Sequence, residues 1–280
     1  MQTTTSNARA IPPITPDRVA EVATAELAAS IALLERLDDH DWARPTDCAG
    51  WTVHDLVAHL VGQYQGLVKP GVFLRRHRRA HRRYPALSRL DAHNRQQLDD
   101  LGGHSGPELV AMLAAIGPKA IRARRRLPGL LRRLHVGRMY PEEPLSDDRL
   151  SYVLDVLGLR DPWMHRVDLA RATGRPLPLG AHDREIVAQV VADLGRAWEG
   201  PPVLLELTGP AGGRWTLGQG APVATVRADA VDYLRALSGR NDHPALEPDG
   251  DQAAATAAAA AWSPSTSRAG GSLRPDSTRR

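Results

Sequence analysis

Thr52-Val53-His54-Asp55-Leu56-Val57-Ala58-His59-Leu60-Val61-Gly62-Gln63-Tyr64 begins with Thr three residues before Asp. That spacing is close to a capping box, with Asp in the place Glu or Gln usually takes, and it predicts a helix start. Behind it Val53, Leu56, Val57, Leu60, Val61 and Tyr64 recur on one face, the apolar stripe of a buried amphipathic helix. His59 lies one turn on from Leu56, at the edge of that stripe rather than opposite it.

Helical signals continue on both sides. Upstream, Thr15-Pro16-Asp17 combines an N-cap, a proline at the first helical position and an acid near the positive dipole end. Leu27, Ile31, Leu34 and Leu37 follow at three- and four-residue spacing, and Asp38 to Gly50 reads as a loop. Downstream, helices are expected from about Ser88 to Leu101 and from Pro107 to about Arg126. A long helix then begins near Ser146 and runs to Ala172, with Gly174 and Pro176 as its stop.

The pattern changes at Gly180. A helix from Asp183 to Trp198 precedes a strand-like run, Pro202 to Leu207. The Gly209–Gly213 turn leads into Trp215 and Leu217, a further short strand fits Val223 to Val226, and a helix closes from Asp229 to Leu237. The fold class expected is α+β: a helical bundle over 15–178 and a small α/β domain, with an antiparallel sheet, over 179–247. Residues 1–14 read as a flexible lead-in. The Ala-, Ser- and Gly-rich segment 248–280 reads as disordered.

With 280 residues, 42% of them hydrophobic, the chain is long enough to bury a real core. Aromatics are only 4%, so Ala, Leu and Val carry the packing. No apolar run approaches the roughly 18 residues of a membrane span, and the N-terminus lacks a secretory h-region. The single cysteine, Cys48, excludes an intrachain disulfide, so a reducing cytoplasm is the expected setting. Net charge is +4, almost all from arginine. The run Arg75-Arg76-His77-Arg78-Arg79, continuing to Arg83, reads as solvated surface or mobile loop. It has no interleaved aromatics, which argues against a nucleic-acid partner.

Asp161-Pro162-Trp163-Met164-His165 carries the sharpest chemistry. An acid and a histidine four apart share a helix face, with Cβ atoms roughly 5–6 Å apart. Such a pair can clasp one cation if a third ligand comes from another element, and His59 is the best candidate. Two nitrogens and one carboxylate suit zinc and leave a fourth position open, the catalytic pattern; nickel, iron or manganese also accept these ligands. Asp168, three residues beyond His165, is placed to accept its other N–H. A competing reading makes Asp161 the N-cap of a helix restarted at Pro162, its carboxylate facing backbone N–H groups. Cys48 lacks an evident base and reads as a small loop residue. Gly209–Gly213 lacks a phosphate-loop Lys and reads as a turn.

Pro45-Thr46-Asp47-Cys48-Ala49-Gly50-Trp51-Thr52-Val53-His54-Asp55-Leu56-Val57-Ala58-His59-Leu60 resembles the first signature of the mycothiol-dependent maleylpyruvate isomerase family. Arg160 to Asp168 resembles the second, a carboxylate, three residues, then His-x-x-Asp. Leu207-Thr208-Gly209-Pro210 through Trp215, and Leu237-Ser238-Gly239-Arg240, are similar to its C-terminal unit, so the likeness spans about residues 17 to 243. The resemblance implies a DinB-like four-helix bundle with an appended α/β domain, and metal ligands at His59, Asp161 and His165. The family has Glu at the position of Asp161. It further implies that the open metal position takes the thiol of mycothiol, whose thiolate adds to a small electrophilic substrate in an isomerisation or a thiol transfer. Arg240 matches a family arginine that would pair with a carboxylate of substrate or thiol. Two other functions fit the bundle: a metallohydrolase using metal-bound water, and a non-catalytic binding or regulatory module. Neither the substrate nor the oligomeric state is legible in the chain.

Overall fold

The computed structural model describes residues 5–139, 141, 147–240 and 247–260. The first five helices are α1 (Pro16–Leu34), α2 (Val53–Val68), α3 (Pro70–Arg83), α4 (Arg89–Leu101) and α5 (Gly106–Arg125). Two single turns, α6 (Gly129–Arg132) and α7 (Leu150–Tyr152), lead through a π-helical stretch, Val153–Leu157, into α8 (Gly158–Thr173). The C-terminal part contains α9 (Ala181–Ala197), α10 (Ala230–Leu237) and α11 (Gln252–Ala260). Ser146, expected to cap the helix that reaches the second signature, lies outside the described residues.

α1, α2, α5 and α8 form the bundle, with α5 and α8 each packed on both α1 and α2. Leu34, Leu56, Leu60, Leu109, Leu113 and Trp163 are fully buried between them, and each such side chain contributes about 1.5–3 kcal/mol of transfer free energy. The expected cap of α2 forms on both sides: Asp55 N–H donates to Thr52 Oγ1 (3.2 Å), and Thr52 N–H donates to Asp55 Oδ2 (3.0 Å). This fixes the register that turns His59 inward. A glycine allows close approach between α2 and α4. At Gly62 a Cβ would sit 2.8 Å from Gln97 Cγ, so only glycine lets α4 lie this tightly on α2.

The arginine run is neither loop nor uniformly solvated. It forms α3, begun by Pro70 at its first position. Arg76 points inward and donates to Asp100 Oδ2 (2.9 Å), the Gly62 carbonyl (3.1 Å) and Gln65 Oε1 (3.0 Å), bolting α3 to α2 and α4. Arg75, Arg78 and Arg82 remain exposed.

Pro162 sits inside α8 rather than starting it. It cannot donate to the Gly158 carbonyl. Arg124, on α5, supplies the missing donor: its NH1 reaches the carbonyls of Gly158 and Leu154 at 3.1 Å each. The helix therefore continues through the proline, and Asp161 is a helical residue whose carboxylate is free to face the bundle.

The sheet is mixed, not antiparallel. Its order is β1 (Ser6–Asn7), β3 (Gly213–Leu217), β2 (Val203–Thr208), β4 (Ala224–Asp229), β5 (Glu247–Gly250). β2 and β3 form an antiparallel hairpin, but β4 returns beside β2 rather than β3, which makes that pair parallel. Both segments expected to be flexible also carry structure. β1 pairs with β3, and Ala8 behind it is fully buried against Gly195 of α9. Residues 248–260 contribute to β5 and α11, where Ala254, Ala255 and Ala258 lie buried. Alanine is the strongest helix former and small enough to lie flat on a sheet, so a stretch without a large apolar stripe still packs. Residues 261–280 of the expected tail lie outside the described residues.

A buried ion pair joins the two parts. Arg166 of α8 donates to Glu26 of α1 (2.8 and 3.0 Å) and to Asp183 of α9, and Trp163 Nε1–H donates to Asp183 Oδ1 (2.8 Å). All four residues are essentially excluded from water. Arg166→Met strands two buried carboxylates, so it is expected to cost about 3–5 kcal/mol in chemical denaturation. A loss below about 1 kcal/mol would mean that the junction does not depend on this pair.

Candidate metal centre

α2 and α8 face each other across the bundle, and each projects one imidazole into the interface. The His59 and His165 rings meet edge to face with centroids 5.2 Å apart; both are buried. Trp51, just before the α2 cap, packs on both, its centroid 5.0 Å from His59 and 6.3 Å from His165. Asp161 completes the group, one turn before His165. Its Oδ1 lies 3.4 Å from His165 Nε2, and its Oδ2 lies 3.7 Å from His59 Nε2. The ligand atoms of the three side chains all lie within 4.8 Å of one another. Donor atoms around a tetrahedral zinc at 2.0–2.1 Å stand roughly 3.4 Å apart, so the spacing fits such an ion.

The second nitrogen of each ring is already engaged. His59 Nδ1 is 2.7 Å from Gln97 Oε1 on α4, an acceptor, so that nitrogen carries the proton and Nε2 keeps its lone pair for the site. His165 Nδ1 is 3.2 Å from Asp168 Oδ2, the partner expected for it. Asp161 has no capping role here: its carboxylate meets His59, His165 and the Gln63 amide (2.6 Å). Its side chain keeps about a third of its surface exposed, which leaves the group open on that side.

The electrostatics are one-sided. Burial opposes ionisation of Asp161, yet His165 holds its carboxyl well below the usual range. Burial likewise opposes charge on His165, but Asp161, Cys48 and Asp168 together raise it well above an ordinary histidine. Asp168, fully buried, is also held down against desolvation, by Arg240 and His165. Arg240, just beyond the end of α10, reaches Asp168 behind His165. Its fork, however, is taken by Asp168, at 2.8 and 2.6 Å, rather than left open for a ligand carboxylate.

Three contributors escaped the sequence reading. Cys48 is buried beneath the site, its Sγ 3.4 Å from Asp168 Oδ2 and 3.8 Å from His165 Nδ1. Nothing local in the chain signals that contact. Gln97 comes from a distant helix and was equally silent. Gln63, four residues after His59, shares its helix face, and that spacing was a usable signal. Two further clusters of potential ligands are spoken for: Asp168 of the Cys48 group is paired with Arg240, and the Glu26–His182–Asp183 group encloses Arg166.

Fold and site together define a helical-bundle protein with an internal His-carboxylate-His cluster, capped by a mixed α/β domain. Residues 23–170 match the family model described as "Mycothiol maleylpyruvate isomerase N-terminal domain", and residues 177–257 match "MDMPI C-terminal domain". The chain belongs to the mycothiol maleylpyruvate isomerase family and is an enzyme of that isomerase-like kind. In fold it is similar to the crystal structure of the mycothiol-dependent maleylpyruvate isomerase, at 16% identity and a TM-score of 0.54, covering 88% of this chain and 97% of the other. The crystal structure of a histidine-to-alanine mutant of that protein gives the same values. No curated protein matches in sequence. Among the described residues no helix is long and apolar enough to cross a membrane.

Proposed function

We propose that the protein is a metal- and mycothiol-dependent isomerase or thiol transferase, working on a small electrophile in the cytoplasm. The observation that carries this reading is the convergence of His59 Nε2, His165 Nε2 and the Asp161 carboxylate, each imidazole held from behind by an acceptor. His59, Asp161 and His165 would hold a divalent ion such as zinc. When bound, that ion supplies a position at which a low-molecular-weight thiol is acidified to its thiolate, the nucleophile for the substrate.

The chain's own residues do the rest. Gln97 fixes the tautomer of His59, and Asp168 orients His165 while Arg240 keeps Asp168 ionised. Cys48 is enclosed behind His165, away from the open side, so the nucleophile comes from the added thiol. The partly exposed face of Asp161 marks the approach for thiol and substrate.

A panel of small electrophiles assayed with and without mycothiol, on metal-loaded and chelator-stripped protein, tests the proposal. Turnover is expected only when thiol and metal are both present. Metal-dependent turnover without thiol would instead establish the hydrolase, and turnover indifferent to metal would remove the site from the chemistry.

A further inference from the structure

Gln63 stands where a cation held by the three candidate ligands would have to be met. It lies four residues after His59 on α2, hence on the same helix face. Its amide Nε2 is 2.8 Å from His59 Nε2 and 2.6 Å from Asp161 Oδ2. Both acceptors are atoms that a cation would claim. Because the His59 proton sits on Nδ1 against Gln97, the Nε2 contact is a donation from the Gln63 amide into the imidazole lone pair.

Two N–H donors aimed at two ligand lone pairs satisfy the cluster in the absence of a positive charge. They oppose one when it arrives, since the amide presents its own positive end. A primary amide is planar, with an oxygen and a nitrogen at matching positions and reach. A half turn about its last side-chain bond therefore exchanges the two donor hydrogens for the carbonyl oxygen, without moving α2.

Resting on the metal reading above, we propose that Gln63 is a fourth protein ligand to the cation, delivering Oε1 after that half turn. The donor set is then two imidazole nitrogens, one carboxylate and one amide oxygen. Its oxygen share favours a divalent ion with five or six ligands, such as cobalt, manganese or iron, or zinc in an expanded shell. An expanded shell keeps positions for an incoming thiol even with four protein ligands in place.

The test uses the full-length chain, stripped of metal and titrated with zinc or cobalt against a competing chelator at fixed pH. Gln63→Leu keeps the bulk and helix propensity but has no oxygen; Gln63→Glu keeps the oxygen. Gln63→Leu is expected to weaken binding on the order of 10–100-fold, while Gln63→Glu binds at least as tightly as the native protein. The cobalt absorption bands are expected to intensify in Gln63→Leu, as the ion falls toward four-coordination, and to stay weak in Gln63→Glu. Unchanged or tighter binding in Gln63→Leu would show Gln63 to be only a placeholder that the metal displaces. Failure of the native protein itself to bind either ion would overturn the metal reading underneath, a result separable from both.

Discussion

His165→Ala and His59→Ala each abolish thiol-dependent turnover while the bundle stays folded. The two imidazoles come from different helices, and neither can be replaced by water without losing a nitrogen donor and the orientation imposed from behind. Partial substitutes show the grading. Gln97→Leu leaves His59 in place but frees its tautomer, and a loss of about 10–100-fold in metal affinity is expected. The alanine variants must exceed that. Their helical circular dichroism should match the native protein, because the packing of α2 and α8 rests on Leu56, Leu60, Trp163 and Val167. The proton balance adds a second signature. His165 holds its proton more tightly than an ordinary histidine, whose value is about 6.5. The cation must displace that proton, so affinity falls as pH falls, and the fall begins above about pH 6.5. Turnover surviving in either alanine variant would refute the assignment.

Arg240→Met is the second large effect, read first in stability. Its partner Asp168 has no exposed surface and is ionised only because Arg240 and His165 outweigh its burial. Removing the guanidinium leaves a buried carboxylate with one partner fewer, a change that costs about 3–5 kcal/mol in comparable sites. The sign of the pH dependence follows from the direction of the shift. A carboxyl whose folded value is depressed adds stability that is fully present above its unfolded value, about 3.9, and is lost as pH falls through the folded value. The gap between native protein and Arg240→Met should therefore be wide at pH 7 and narrow in strongly acid solution. Because Asp168 also orients His165, metal affinity should drop together with stability. In a double-mutant cycle with Asp168→Asn, a coupling near zero would dissolve the pair.

Much of this was written in local pattern. Thr52 and Asp55 announce the start of α2, and the stripe behind them announces which side is buried; His59, at the edge of that stripe in the sequence, is itself buried in the fold. The four-residue spacing of Asp161 and His165 put both on one face of α8. What stayed hidden depends on partners far away in the chain. Pro162 argues for a helix break at Asp161, but the helix runs on through it, with Arg124 of α5 donating to the carbonyl the proline leaves unpaired. Gln97 and Cys48 have no periodicity pointing to the site; they arrive because Gly62 admits α4 and because the loop before α2 folds beneath α8. The alanine-rich segment looked featureless because small side chains give no stripe, yet that smallness lets α11 lie against β4. Sheet direction is not legible in the chain because a strand pattern does not say which neighbour a returning strand will choose.

The most direct measurement is the metal content of tag-free protein by mass spectrometry, alongside His59→Ala, Asp161→Ala and His165→Ala. One equivalent of a divalent metal in the native chain, lost in all three variants, is the predicted result. A native chain without metal even after reconstitution, or metal retained in all three variants, would contradict the account.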